Sequence, residues 1–250
     1  MQFEDRCILV TGGSGALGRR IVDQMGREGG RVTVIARAPV AGHNTLVGDL
    51  STAEGLETVA AAAADRPWDL LVNIAGVQHF GPLEQQTPEH LLASYMVNLV
   101  APARLAQTVL PGMKQRGRGQ IANVGSIFGS INFAHFATYS SAKAGMRALS
   151  QSLRRELAGT GIDVTYVAPR AVATPFNSAK VNEFARLTGM AVDDPDLIAR
   201  RIVDAIRENR RDVYLGFPES LFVRVNALAP GLIDGALKSN DLKARALFAG

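Results

Sequence analysis

Cys7-Ile8-Leu9-Val10-Thr11-Gly12-Gly13-Ser14-Gly15-Ala16-Leu17-Gly18 runs from a short apolar stretch through a cluster of glycines into a helical pattern, with Leu17, Ile21, Val22 and Met25 on one face. Read from Gly13, it satisfies G-x-G-x-x-G. Glycines at a strand-to-helix turn let the backbone bend sharply and approach a pyrophosphate, whose charge meets free amides and the positive end of the helix. Such turns also serve ordinary packing; the position directly after the first strand is what points to a dinucleotide. Outward from this turn, apolar runs and helical patterns alternate. Cys7 to Val10, Val32 to Ala36, Thr45 to Val47, Leu70 to Val72, Ile121 to Val124, Val164 to Val167 and Val213 to Leu215 read as seven strands, and spacings such as Leu149, Leu153, Leu157 as helix. This alternation, with no composition break or internal repeat, implies one α/β domain over residues 1–250, built on a seven-stranded parallel, doubly wound sheet flanked by helices.

Composition agrees and narrows the function. The chain has 250 residues, 47% apolar and 20% charged, enough for one well-filled core and too apolar for general disorder. The single cysteine, Cys7, has no internal partner, and no charged-then-apolar leader opens the chain, so a reducing, cytoplasmic setting is expected. No apolar run reaches the roughly 18 residues of a membrane span. Net charge is +4, and the densest basic pieces, Lys114 to Arg118 and Arg207 to Arg211, are too thin for a nucleic-acid tail. Thr87-Pro88-Glu89 and Asp194-Pro195-Asp196 read as helix starts, each with a cap, a proline and an acid. The acidic group Asp193, Asp194, Asp196 therefore belongs to a helix and not to a metal, and His79 and His135 are loop histidines without metal-like grouping. No metal site is expected.

Two further positions bear on chemistry. At the end of the second strand, where an acid would hydrogen-bond the 2′-hydroxyl of NAD, stands Arg37; a guanidinium suits a 2′-phosphate and favours NADP(H) over NAD(H). Tyr139 and Lys143 lie four residues apart at the start of an apparent helix, on one face. A positive charge ~4 Å from the phenol at an effective dielectric of ~20 supplies about 4 kcal/mol, enough to bring a tyrosine near neutrality. By spacing alone, such a pair is usually ordinary helix surface.

The chain resembles the short-chain dehydrogenase/reductase family over most of residues 6 to 175. Thr11 to Gly18 is similar to its glycine motif, Asn73-Ile74-Ala75-Gly76 to its Asn-x-Ala-Gly turn, and Tyr139-Ser140-Ser141-Ala142-Lys143 to its Tyr-x-x-x-Lys, with Ser126 thirteen residues before Tyr139 and Asn98 in the helix after the fourth strand. The resemblance implies a Rossmann-type, NADP(H)-dependent oxidoreductase, a ketone or oxoacyl reductase, with an Asn98-Ser126-Tyr139-Lys143 tetrad. Ser126 holds the substrate oxygen, Tyr139 exchanges its proton, Lys143 holds the nicotinamide ribose and depresses the tyrosine, and Asn98 orders a relay water. It further implies cofactor contacts from Gly12, Ser14, Gly15, Leu17, Gly18, Asp49, Leu50, Asn73, Ala75, Gly76, Pro169, Val172 and Thr174, and assembly as a homodimer or homotetramer. A noncatalytic NADP(H) sensor, or an epimerase or dehydratase on the same tyrosine, stays open.

Two departures stand out: Ala16 replaces the family's middle glycine, and Arg170 follows Pro169 where the family usually has glycine, placing a long cation near the cleft mouth to meet an acidic substrate or solvent. Gln78 to Phe80, Ile127 to Phe136 and Phe176 to Met190 are expected to face substrate. Phe128, Phe133, Phe136 and Phe176 suggest an apolar substrate body or ordinary lid packing. The tail over 218–250, with Leu221, Phe222, Val223, Val225, Leu228, Leu232 and Ile233, reads as oligomer contact or pocket closure, with a surface membrane anchor as the alternative.

Overall fold

The computed structural model describes residues 2–248. Its chain order is β1 (Cys7–Thr11), α1 (Ala16–Arg27), β2 (Arg31–Ala36), β3 (Asn44–Val47), α2 (Ala53–Ala64), β4 (Leu70–Asn73), α3 (Pro88–Tyr95), α4 (Ala101–Arg116), β5 (Gly119–Val124), α5 (Ala137–Glu156), β6 (Ile162–Ala168), β7 (Ala171–Val172), α6 (Ala179–Thr188), β8 (Val192–Asp193), α7 (Pro195–Arg207), β9 (Asp212–Tyr214), α8 (Glu219–Leu228) and α9 (Pro230–Ala246). The seven expected strands form one sheet in the order β3-β2-β1-β4-β5-β6-β9, every pair parallel. The order reverses between β1 and β4, so a crevice opens at the carboxyl ends of those strands.

Central strands are buried on both faces, which is why they read as unbroken apolar runs. On one face Ile8, Val10 and Val72 pack against Ile21, Val22 and Met25 of α1 and Ile198, Ile202 and Ile206 of α7. On the other, Leu9, Leu71 and Ile121 meet Leu56 and Val59 of α2, Leu105 and Val109 of α4, and Leu157 just beyond α5. Each fully buried Leu or Ile contributes roughly 1.5–3 kcal/mol relative to exposure.

Two features lay outside the sequence reading. A π-helical turn, Met96–Val100, joins α3 to α4; Pro102 has no N–H for the carbonyl of Asn98, which loosens the ladder there. β7 and β8 form a separate two-stranded parallel sheet, Ala171 opposite Val192 and Val172 opposite Asp193, that anchors both ends of the segment carrying α6. The tail folds as α8 and α9: Val223 and Ile233 are buried against Ile127 and Ile131, while Ala244 and Leu247 join the Phe128, Phe136 and Phe184 cluster. Among the described residues no helix is long and apolar enough to cross a membrane.

Candidate active site

α1 opens without help from its own chain. Gly15 at its N-cap offers no side-chain bond and no acid stands in its first turn, whereas α2, α3, α6 and α7 are capped by Thr52, Thr87, Ser178 and Asp194. The bare positive end suits an external anion. Gly12 has a φ of 69° and lies so close to the next turn that a Cβ there would stand 2.7 Å from the nitrogen of Ala75. Thr11 Oγ1 accepts from the amides of Ile74 at 3.0 Å and Ala75 at 3.1 Å, locking the two turns together. A Cβ on Gly18 would collide with the Gly12 carbonyl. Ala16 is the first residue of α1 and lines the cleft, so its methyl group narrows the cradle from an unstrained position.

From this cradle a cleft of about 640 Å³ runs in both directions across the sheet edge. Gly12, Ser14, Gly15, Leu17, Gly18, Arg37, Asp49, Leu50, Ala75, Gly76, Ser126, Tyr139, Lys143, Pro169, Val172 and Thr174 all line it. At one end Arg37 is exposed directly after β2. Asp49 follows β3 and accepts from the Ser51 amide at 2.9 Å and Ser51 Oγ at 2.7 Å. Those bonds, with a smaller contribution from Arg37, hold its carboxyl below the usual range. The residues present fit a dinucleotide carrying a 2′-phosphate: a glycine cradle with no room for side chains, an uncapped helix end and an exposed guanidinium beyond it.

Asn73 is a correction. It does not line the cleft; its Nδ2 donates to Asn123 Oδ1 at 2.8 Å, and Asn123 Nδ2 donates to Ser150 Oγ at 2.9 Å. A fully buried amide at the last position of β4 thus braces β4, β5 and α5 beneath the site.

Ser126 leaves β5 and its hydroxyl accepts from the Phe128 amide at 3.1 Å. Tyr139 and Lys143 sit on the first turns of α5, 7% and 3% exposed, with Lys143 Nζ 5.9 Å from the centre of the phenol ring. Burial pushes the Tyr139 phenol up to about 12, against a smaller downward pull from its hydrogen bond with Ser126. Burial likewise lowers Lys143 to about 8, and its ammonium donates to the Val124 carbonyl at 3.1 Å. Burial, which raises the phenol, is thus the largest influence on Tyr139, ahead of its bond with Ser126.

Asn98 lies behind the cleft in the π-helical turn, fully buried, and Nδ2 donates to the carbonyls of Val77 at 2.7 Å and Ser94 at 2.8 Å. Its Oδ1 is buried and has no hydrogen-bond partner among the described residues. A Cβ on Gly76 would stand 2.9 Å from that oxygen and 3.7 Å from Lys143 Nζ, so only glycine keeps the space between the two groups open. A buried acceptor facing such a space is what a bridging water requires.

On the substrate side, Gln78, Phe128, Phe136, Phe176, Phe184 and Met190 line the cleft, whereas Phe80 and Phe133 pack behind them. Ala93 of α3 and Val97 of the π-helical turn also line it and were missed; Pro102 was the available signal for the turn. His79 and His135 stand off the cleft, the first against His90 and the second against Phe80 and Phe248. Arg170 lines the cleft with its guanidinium engaged in ion pairs. Its Nε and Nη2 donate to Asp193 at 2.9 and 2.8 Å and its Nη1 to Glu219 at 2.9 Å. The pair with Asp193, ahead of Glu219, holds the guanidinium above its ordinary pKa. Among the described residues no cluster of metal-ligating side chains occurs.

A doubly wound sheet with a glycine cradle at its switch point and a buried Ser-Tyr-Lys group beside it defines a nucleotide-dependent α/β oxidoreductase. The chain belongs to the short-chain dehydrogenase/reductase family, enzymes acting on CH–OH and C=O groups: the short chain dehydrogenase family model matches residues 6–184. It is 29% identical over 240 residues to the 3-oxoacyl-[acyl-carrier-protein] reductase of Vibrio cholerae, covering 89% of this chain and 94% of that protein. It is 31% identical over 200 residues to the D-beta-hydroxybutyrate dehydrogenase of Cupriavidus necator, covering 74% and 78%. The solved structure of a short-chain dehydrogenase from Sphingobium yanoikuyae in complex with NADPH superposes with a TM-score of 0.78 at 25% identity, over 92% of this chain and 95% of that one.

Proposed function

We propose that this chain is an NADP(H)-dependent ketone or oxoacyl reductase that uses Tyr139 as its proton donor. The observation that carries the reading is the burial of Tyr139 and Lys143 side by side in the cleft that starts at the bare end of α1. Such burial of a phenol and an ammonium costs several kcal/mol, and no structural bond repays it for the tyrosine beyond that with Ser126. Strongly perturbed titratable groups in a cleft are what acid–base catalysis calls for.

Gly12, Ser14, Gly15, Leu17 and Gly18 would hold the pyrophosphate, Arg37 the 2′-phosphate, Asp49 and Leu50 the adenine, and Pro169, Val172 and Thr174 the nicotinamide. NADPH, when bound, supplies the hydride that adds to the carbonyl carbon. Ser126 Oγ donates to the carbonyl oxygen and polarises it. Tyr139, whose proton is firmly held at neutral pH, gives that proton to the oxygen as negative charge develops there. Lys143 stands behind the phenol as the nearest cation, and water held by the free Oδ1 of Asn98 returns a proton toward it. The proton balance is closed by one solvent proton per turnover.

Fluorescence titration with NADPH and NADH checks the cofactor half. Tight NADPH binding that Arg37→Ala weakens by ~10- to 150-fold without affecting NADH is the expected result; equal weakening of both would remove Arg37 from this role. The same reading places the enzyme in the cytoplasm as a homo-oligomer, with the exposed Leu221, Phe222, Leu228 and Leu232 of α8 and α9 as subunit contact.

A further inference from the structure

We propose that the substrate is an uncharged ketone with an apolar body, and that ketones bearing a free carboxylate are rejected; the proposal rests on the reductase reading above. Only four charged side chains line the cleft among the described residues: Arg37, Asp49, Lys143 and Arg170. The first two follow β2 and β3 at the end away from Tyr139. Lys143 is buried and bonded to the Val124 carbonyl at 3.1 Å.

Arg170 is the one cation placed to greet an anionic substrate, and its fork is already spent. Asp193 takes Nε and Nη2, while Glu219 and the Phe217 carbonyl share Nη1 at 2.9 and 3.2 Å. Asp193 and Glu219 together neutralise this guanidinium and occupy its donors, so it offers a substrate carboxylate no free partner. Around Tyr139 the surfaces are aromatic, with Phe128 and Phe176 at ring-centre distances of 6.2 and 6.1 Å. The amides nearby serve the wall: Gln78 Nε2 donates to Asn177 Oδ1 at 3.2 Å and to the Phe176 carbonyl at 2.9 Å, and Asn177 Nδ2 donates to the Val172 carbonyl at 2.9 Å. Beside the reacting centre the polar station is the Ser126 and Tyr139 hydroxyls, which suits a single carbonyl oxygen; Thr174 and Asn182 add only uncharged polar groups to the lining. A carboxylate brought here loses its water, while Lys143 is bonded to the Val124 carbonyl and assigned by the reductase reading to the nicotinamide ribose, and Arg170 is paired with Asp193 and Glu219.

The experiment pairs 3-oxobutanoate and 3-oxooctanoate with their ethyl esters, so that the reacting ketone is constant and only the charge and its cap change. In the balanced reaction hydride from NADPH adds to the ketone carbon and a proton to its oxygen, leaving NADP⁺ and the 3-hydroxy product. The esters should exceed the free acids by more than ~100-fold in kcat/KM, and saturation-transfer NMR on the NADP⁺-loaded enzyme should show ester binding and no acid binding. Phe176→Arg puts a cation beside Tyr139 at a position already 43% exposed, and should narrow the ratio at least ~10-fold. Comparable rates for acid and ester, or a preference for the acids, would overturn the proposal and leave the reductase standing. Selective ester binding without turnover would overturn the reductase reading and uphold the charge exclusion. Binding of neither would overturn both.

Discussion

Lys143 shows what a single side chain costs when it is placed for chemistry. Its ammonium, depressed by burial from 10.5 to about 8, binds its proton less tightly in the folded chain than in the unfolded one. Between those two values the unfolded state holds more protons, so stability rises with pH across that window; below about 8 the full penalty is present. The shift corresponds to about 3 kcal/mol, and loss of the bond to Val124 returns about 1 kcal/mol. Lys143→Met is therefore expected to stabilise the fold by about 2 kcal/mol at pH 7, with the gain shrinking at pH 9.5, in urea melts at both values; equal gains would contradict the shift. Tyr139 acts in the opposite sense, being raised to about 12, and lowers stability only as pH climbs above 10. The residue types and their spacing were legible in the sequence; their energetics were not, because desolvation depends on what α3, α5 and the segment after β6 wrap around them. Asn73 shows the same limit, since only the register of β4 on β5 turns it toward Asn123 and away from the cleft.

At the scale of elements, the seven strands could be read from local sequence because both sheet faces are buried and the runs are continuously apolar. The β7–β8 sheet could not, since its two pairs join residues about twenty positions apart and its fastening is the Arg170–Asp193 fork. Arg170→Gly, the family's usual residue, should release the α6 segment from α8. A loss of about 2 kcal/mol in denaturant melts and a raised KM for ketone with kcat nearly unchanged are expected; an unchanged KM would show that the fork does not position this wall. The π-helical turn was likewise hidden, although Pro102 marks where the ladder fails. Asn98→Ala should lower kcat by roughly 10- to 100-fold while NADPH affinity holds, and retained kcat would deny Asn98 a part in the relay.

For the whole molecule, the tail was legible as apolar and illegible as structure. Its two helices divide their apolar residues: Val223, Ile233 and Ala244 bury against the body, while Leu221, Leu228 and Leu232 remain outward. That outward face is expected to be covered by a second subunit, so Leu228→Glu with Leu232→Glu should shift the sedimentation coefficient from oligomer to monomer. Flotation of the wild type with anionic vesicles would point to a lipid surface there.

The central claim, that hydride passes to a carbonyl carbon while Tyr139 supplies the proton, is tested most directly by isotope transfer. Incubating the enzyme with 4-deuterated NADPH and an ethyl 3-oxo ester should give alcohol with deuterium on the carbinol carbon, one per NADPH oxidised for the transferred face. Tyr139→Phe should slow its formation by at least ~1,000-fold while NADPH still binds. Alcohol formed without deuterium, or at an undiminished rate in Tyr139→Phe, would contradict the account.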